Sequence, residues 1–146
     1  LIAGDGPDRQ KLTQRVPDKL RQRVRFVGFL QYEQTVRCFH GCDVLVHPSA
    51  YEPWALVINE AVAAGLAVVA SEVTGAAVQL VRPDVNGYLV PPGDVAQLAD
   101  AIGRATDGPT CERLAAAASS VLDDWRRAAD PVGGIREALR YFRVID

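Results

Sequence analysis

The chain contains no methionine, only three cysteines among its 146 residues, and no apolar run long enough to cross a membrane. Its first residues lack the basic-then-apolar pattern of a signal peptide. The cysteines follow no repeating spacing, which suits a reducing compartment rather than a disulfide framework. A formal net charge of −2 argues against a dedicated nucleic-acid-binding protein. These features predict one cytoplasmic domain with a proper core.

Short apolar stretches alternate with longer helical ones, which predicts an α/β fold with a parallel sheet covered by helices. Strands are expected near residues 1–3, 24–27, 43–47, 67–70 and 88–90. Helices are expected near residues 8–15, 31–41, 55–64, 75–82, 94–107, 110–126 and 133–143. Gly65, Gly87 and Gly93 are expected to supply turn or helix-end geometry. Residues 86–93 suggest a tight, hairpin-like turn before Asp94, which can cap the next helix.

Two glutamates, Glu52 and Glu60, flank the predicted start of a helix. Pro53 is tolerated at a helix start but not inside one, so the helix should begin near Trp54 or Ala55, with Glu60 about two turns further on. The first amides of a helix lack intrahelical acceptors and lie at the positive end of its dipole. The pattern predicts an anion site with a carboxylate on each side, which suits the diphosphate of a nucleotide-sugar between ribose and hexose.

The flanking segments add weight to this pair of glutamates, whose spacing alone is common by chance. The apolar stretch 43–47 leads into Pro-Ser at 48–49, and Gly65 precedes a second apolar stretch that ends in serine, 66–71. This order resembles the C-terminal, nucleotide-binding domain of retaining GT-B glycosyltransferases, especially glycosyltransferase family 4. That family reads strand, Pro-Ser, Glu-x7-Glu, then Ala-x-Gly-x-Pro-Val-Val-Ala-Ser; Ala67 stands here in place of the proline.

Three further segments match the family in the same order. Residues 1–7 resemble its first strand here and a Gly-x-Gly-Pro turn, residues 24–30 resemble the next strand and glycine turn, and residues 86–94 resemble its Asn-Gly-hydrophobic-Leu-Val-Pro-Pro-Gly-Asp run. The resemblance covers about residues 1–107. We expect residues 1–107 to form a Rossmann-like donor-binding core and residues 108–146 to add C-terminal helices of the same domain. The last helix is expected to be able to cross to a second domain.

The resemblance implies that the parent protein is a glycosyltransferase. It would move a sugar from a nucleotide-sugar donor to a glycan, lipid or small-molecule acceptor, with retention at the anomeric carbon and with no metal or other cofactor. It also implies an N-terminal acceptor-binding domain, to which nothing in this chain corresponds. The first strand and helix of the donor domain, and the basic loop that holds the diphosphate, have no matching residues. The chain is expected to be a truncated fragment that is inactive alone.

The resemblance assigns the central site residues. Glu60 would accept hydrogen bonds from the two ribose hydroxyls, and Glu52 would be the catalytic-site carboxylate that meets the hydroxyls of the donor sugar. The backbone amides of Leu56 and Val57 would hold the distal phosphate, with their side chains in the core. Ala55 occupies a position where relatives carry glycine and let a ligand approach bare backbone, which leaves the sugar specificity open. Each glutamate also has a simpler interpretation, as an exposed helical or helix-entry carboxylate.

Two glycine turns extend the predicted donor site. Gly4 and Gly6 could contact the ligand or only form a tight turn, because the segment is not a full dinucleotide-binding fingerprint. In relatives, the region of Gly28, Phe29 and Leu30 presents backbone groups to the nucleotide base. These five residues complete the set predicted to bind the donor.

The loop after the fourth predicted strand is polar. Ser71, Thr74 and Gly75 could face the donor sugar; equally, Ser71 and Thr74 could only cap the following helix. The sequence does not decide between these roles.

Cys38, His40 and Cys42 suggest a zinc site, which we reject. The two cysteines could share a helix face, but structural zinc requires four ligands, and only His47 is otherwise near in sequence. Burial as thiols is the simpler prediction.

A basic run between residues 9 and 25 could favour the inner face of a membrane, as in peripheral glycosyltransferases. The same charges are also typical of a solvated helix face.

Two other functional classes stay open at this point. One is a GT-B nucleotide-sugar epimerase or phosphorylase, and the other is a non-catalytic interaction module. The epimerase or phosphorylase class lacks this Glu-x7-Glu context and ranks second, and an exposed apolar patch would favour the module.

Overall fold

The computed structural model describes residues 1–144, and its contacts divide the chain into two compact units between Gly41 and Cys42. The first unit contains β1 (Ile2–Ala3), α1 (Arg9–Gln14), a 3-10 turn (Asp18–Leu20), β2 (Phe26–Gly28) and α2 (Tyr32–His40). The second unit contains β3 (Val44–His47), α3 (Leu56–Ala63), β4 (Ala67–Ser71), α4 (Gly75–Leu80), β5 (Gly87–Val90), α5 (Val95–Ala105), α6 (Gly108–Ala128) and α7 (Pro131–Tyr141).

All strands and helices expected from the sequence are present in the expected order, and most begin or end within two or three residues of their predicted bounds. The 3-10 turn at Asp18–Leu20 was not predicted. It is a single turn, too short to show a helical repeat of apolar residues.

All strand pairings are parallel, and helices flank the strands, which confirms the predicted α/β fold class. The strands belong to two sheets where the sequence indicated one: a two-stranded sheet β1-β2 and a three-stranded sheet β3-β4-β5. In the second sheet His47 pairs with Ala70, and Ser71 pairs with Val90. The carboxyl ends of β3, β4 and β5 therefore meet at one edge, where ligands bind in open α/β sheets.

The core of the second unit lies around β4, in which every residue is buried. One cluster joins β4 and β5 to the buried alanines of α5 and to Leu114 of α6. Helix α6 buries one face and packs against β4, α3, α4 and α5. Residues beyond the family-like segment 1–107 therefore contribute to the core of this unit, while the predicted division at residue 107 stays a prediction.

The expectation of a hairpin-like turn at residues 86–93 is wrong. Gly87–Val90 is a strand that runs parallel to β4, so the chain does not reverse there. Gly87 is a strand residue and not a turn residue, because its backbone lies directly against Val68. The capping prediction is confirmed, because Asp94 Oδ1 accepts a hydrogen bond from the backbone N–H of Gln97 at 2.9 Å. This bond and a second one from the Gln97 side chain lower the pKa of the Asp94 carboxyl.

Helix α7 has no buried residue. Val132 and Ile135 on the helix are exposed, and so is Phe142 just beyond its end. Within residues 1–144, Val132 and Ile135 are thus more than half exposed, whereas Leu139 on the same helix is half-buried. Over the same residues, no helix is both long and apolar enough to span a bilayer.

Candidate functional site

Helix α3 begins at Leu56, and the residue before it, Ala55, adopts a left-handed backbone conformation with φ 72° and ψ 79°. This is unusual for a residue with a Cβ, and it marks backbone strain. Ala55 also has no side-chain oxygen that could cap the helix. Ile58 N–H donates to the Ala55 carbonyl at 3.0 Å, whereas the amides of Leu56 and Val57 precede any intrahelical acceptor. The start of α3 thus offers uncapped amides at the positive end of the helix dipole.

The buried face of α3 consists of Ile58, Ala61 and Val62, at helical spacing. Leu56 and Glu60 are four residues apart and lie on the opposite face. The expectation that the Leu56 side chain belongs to the core is wrong, because 69% of the residue is exposed. Since the helix begins at Leu56, Glu60 lies just over one turn inside it rather than two. Glu60 is half-buried and projects from the helix face that carries Leu56.

Glu52 is half-buried and bound into the loop before α3. Its Oε1 accepts a hydrogen bond from Trp54 N–H at 3.2 Å, and its backbone forms a parallel bridge with Thr74. Among residues 1–144, neither Glu52 nor Glu60 forms an ion pair with a basic side chain. Glu52 Oε2 and both carboxylate oxygens of Glu60 accept no protein hydrogen bond within the same residues, so they can accept hydrogen bonds from a ligand.

The loop that contains Glu52 is joined to the start of α4 by backbone hydrogen bonds. Gly75 N–H donates to the Glu52 carbonyl at 3.3 Å, and Ala76 N–H donates to the Trp54 carbonyl at 2.8 Å. A Cβ on Gly75 would lie only 2.2 Å from the carbonyl oxygen of Pro53, so only glycine fits there. We call residues 52–55 and 74–76 the loop clamp. The sequence predicts Gly75 as part of a polar loop that could face the donor sugar, but its close approach to Pro53 depends on tertiary contacts and was not predicted.

Four buried polar atoms of the second unit have no hydrogen-bond partner within residues 1–144: His47 Nε2, Asn59 Oδ1, Ser71 Oγ and Thr74 Oγ1. Thr74 precedes α4 but makes no capping hydrogen bond with its side chain. The alternative in which Thr74 caps the helix is therefore not seen. Because an unpaired buried polar group is costly, these atoms are suited to accept a water or ligand partner.

The structure brings the two predicted glycine turns of the first unit together. Gly4 N–H donates to the Gly28 carbonyl at 2.7 Å, and both glycines have positive φ, 118° and 75°. Gly6 N–H donates to the Asp5 side chain, which forms an ion pair with Arg9 at 3.1 Å. The Arg9 guanidinium lies against Gly28, 3.0 Å from where a Cβ would stand. The positive φ values explain glycine at positions 4 and 28, while the choice between a tight turn and a ligand contact at Gly4 and Gly6 stays open.

The two residues after Gly28 differ in exposure. Phe29 is 71% exposed, and Leu30 is half-buried. Their role in base binding stays a prediction, as do the roles of Gly4, Gly6 and Gly28.

The described residues bring no three His, Cys, Asp or Glu side chains into an arrangement that could hold a metal ion. The cysteines Cys38, Cys42 and Cys111 are free thiols and half-buried.

Solved structures share this fold. The crystal structure of Anabaena Alr3699/HepE in complex with UDP matches 98% of this chain and 40% of its own, with a TM-score of 0.72 and 29% identity. Sucrose-phosphate synthase from Thermosynechococcus elongatus matches 94% of this chain and 37% of its own, with a TM-score of 0.72 and 32% identity. The fold is that of the C-terminal domain of GT-B glycosyltransferases.

The sequence comparisons identify the family. Residues 1–107 match the family described as glycosyl transferases group 1, and the chain belongs to that family. It is 35% identical over 133 residues to a glycogen synthase of Mycobacterium tuberculosis, a match that covers 88% of this chain and 32% of the relative. It is 30% identical over 141 residues to a GDP-mannose-dependent alpha-mannosyltransferase of the same species, covering 96% and 36%. The chain thus spans about a third of the length of these relatives.

The strain at Ala55 gives a first prediction. Ala55→Gly should raise the free energy of unfolding by about 0.5–1 kcal/mol, because glycine adopts this left-handed conformation without a Cβ clash. Chemical denaturation measures the change. Ala116→Gly is the control at an exposed position inside α6, where glycine should lower stability by about 1 kcal/mol. If Ala55→Gly lowered the free energy of unfolding by about as much as the control substitution, the strain assigned to Ala55 would be contradicted.

Proposed function

We propose that this chain binds the nucleotide-sugar donor of a retaining glycosyltransferase. The observation that carries the proposal is the uncapped start of α3 with Glu52 before it and Glu60 on its exposed face. The neighbour Alr3699/HepE, crystallised with UDP, and the GDP-mannose-dependent relative support a nucleoside diphosphate as the ligand.

The amides of Leu56 and Val57 are the phosphate donors in this proposal. They combine free N–H groups with the positive helix end, which favours a diphosphate without a metal ion. Fixed dipoles at this position stabilise the negative charge that grows on the leaving diphosphate as the sugar departs. The exposed Leu56 side chain forms the apolar rim beside these amides.

The two glutamates have separate roles. Glu60 accepts hydrogen bonds from the ribose hydroxyls, and Glu52 accepts hydrogen bonds from the hydroxyls of the transferred sugar. Two acceptor oxygens on each carboxylate match paired hydroxyl donors. Departure of the diphosphate and attack by the acceptor would occur on one face of the sugar, so no protein nucleophile is required for retention.

The acceptor and a catalytic partner domain belong to the proposal as well. The exposed apolar residues of α7, Val132 and Ile135, with Phe142 beyond its end, are a surface on which a second, acceptor-binding domain could pack. Inactivity of the chain alone, a cytoplasmic location and peripheral membrane association stay predictions.

The test is a calorimetric titration of the chain with UDP, GDP and ADP. One of the three should bind, and Glu60→Ala should raise its Kd about tenfold to hundredfold, because charge-assisted hydrogen bonds contribute about 1.5–3 kcal/mol. Glu112→Ala, an exposed glutamate on α6, is the matched control and should leave Kd unchanged. A folded chain that binds none of the three, or binds equally well without Glu60, would show that the proposal is wrong.

A further inference from the structure

Trp54 of the loop clamp contacts a tryptophan far along the chain. Its ring centroid lies 6.3 Å from that of Trp125 on α6, with 41° between the ring planes. This separation is within the range in which aromatic rings attract each other beyond simple burial. Trp125 lies outside residues 1–107, the segment that carries the family match. We infer that Trp125 is a positioning residue that fixes the loop clamp, and through it Glu52 and the start of α3.

Trp54 joins Glu52 to the start of α4. The backbone N–H of Trp54 donates to Glu52 Oε1 at 3.2 Å, and the Trp54 carbonyl accepts a hydrogen bond from the Ala76 N–H at 2.8 Å. One residue therefore joins the carboxylate to α4 and leads directly into the strained Ala55. A shift of the Trp54 ring would move the backbone groups that orient Glu52 and start α3.

Two kinds of contact attach the part of α6 that carries Trp125. Ala118 and Leu122 are buried on α6, and Trp125 continues their helical spacing. Trp125 therefore extends the face of α6 that packs against the rest of the second unit. The neighbouring Asp124 forms an ion pair with Arg82 at 2.8 Å, and it also binds Arg127. Hydrogen bonds from Arg82, which has the larger effect, and from Arg127 lower the pKa of the Asp124 carboxyl. The last turn of α6 is therefore attached by both a charged and an aromatic contact.

Trp54 and Asp124 contact the two ends of the α4 segment. Arg82 follows the end of α4, and Trp54 is hydrogen-bonded to its start. The terminal turn of α6 thus contacts the segment after α4 through Asp124 and the loop before α3 through Trp125. This arrangement links residues beyond the family-matched segment to the geometry of the candidate donor site.

The experiment measures amide hydrogen exchange by NMR on the free chain, for which no ligand is needed. Trp125→Ala should accelerate exchange at the amides of Trp54, Gly75 and Ala76 more than in the rest of the second unit, and Trp125→Phe should restore slow exchange. Val121→Ala, a core truncation one turn earlier on α6, is the control and should raise exchange broadly instead. If Trp125→Ala accelerates exchange at these three amides no more than at the other amides of the second unit, the inference is overturned.

The role in donor binding rests on the proposed function and is measured separately. Trp125→Ala should raise Kd for the bound nucleoside diphosphate about threefold to tenfold, while Trp125→Phe and Val121→Ala change it less than twofold. If Trp125→Ala does not fold, Trp125→Leu takes its place in both measurements. Local exchange changes with unchanged Kd would overturn the positioning role. A wild-type chain that binds no nucleotide instead contradicts the proposed function, and the exchange pattern still decides whether Trp125 fixes the clamp.

Discussion

Gly87→Ala is expected to lower the free energy of unfolding by about 3 kcal/mol, a large part of the stability of an ordinary domain. A Cβ on Gly87 would lie 1.9 Å from the carbonyl oxygen of Val68 and 2.8 Å from its carbonyl carbon. Both contacts are with the backbone of β4, which is buried throughout and cannot shift without disturbing the core. β5 would have to move away from β4 and weaken the parallel pairing of Val68 with Gly87.

Urea denaturation measures this loss as a lower midpoint concentration of urea with an unchanged m-value. Gly103→Ala is the matched control, because Gly103 is exposed in α5 and no atom lies within 4 Å of its added Cβ. That substitution should raise stability by about 0.5–1 kcal/mol, as expected for alanine in a helix interior. A Gly87→Ala chain as stable as the wild type would contradict the close approach of the two strands.

The sequence was sufficient where a single physical signal is strong. β4 is a continuous apolar run, so its existence follows from the need to bury it. The Pro-Gly-Asp sequence before α5 predicts the helix start, and Asp94 caps it as expected. Glu52 and Glu60 were singled out by their positions around a helix start, and the structure does place them before and within α3.

Features that depend on contacts between distant segments could not be predicted in this way. Gly87 has the neighbours of a turn sequence, yet the requirement for glycine comes from Val68, nineteen positions earlier in the numbering. The exposure of Leu56 follows from a helix start at Leu56 itself, which places it opposite the buried stripe. The left-handed backbone of Ala55 is likewise invisible, because alanine normally avoids it.

The partnership of Trp54 with Trp125 is a similar case. The two residues are separated by most of the second unit in sequence, and an isolated tryptophan on an alanine-rich helix predicts only burial. Its particular neighbour is fixed by the packing of α6 against α3 and α4. The loop clamp is thus a tertiary feature, so the requirement for glycine at position 75 could not be predicted from its neighbours in sequence.

Gly75→Ala is expected to raise the Kd for the bound nucleotide at least about tenfold while the fold persists. The added Cβ would lie 2.2 Å from the Pro53 carbonyl oxygen and 3.3 Å from Trp54 Cε3, so the loop that carries Glu52 must move away from α4. The hydrogen bonds from Gly75 and Ala76 to this loop would lengthen or break. Because the loop leads directly into α3, the uncapped amides and Glu52 would lose their common orientation.

The measurement is a calorimetric titration with the nucleotide that the wild-type chain binds, paired with urea denaturation of the same samples. We expect Gly75→Ala to lower stability by about 1–3 kcal/mol, since a half-buried loop with the exposed Pro53 at the clash can relax more easily than a core strand. Gly87→Ala then separates the two effects, because it creates a closer backbone clash remote from the clamp. Where Gly87→Ala chains remain folded, their Kd should stay near that of the wild type. A Gly75→Ala chain with unchanged Kd would mean that the loop clamp does not set the geometry of the donor site.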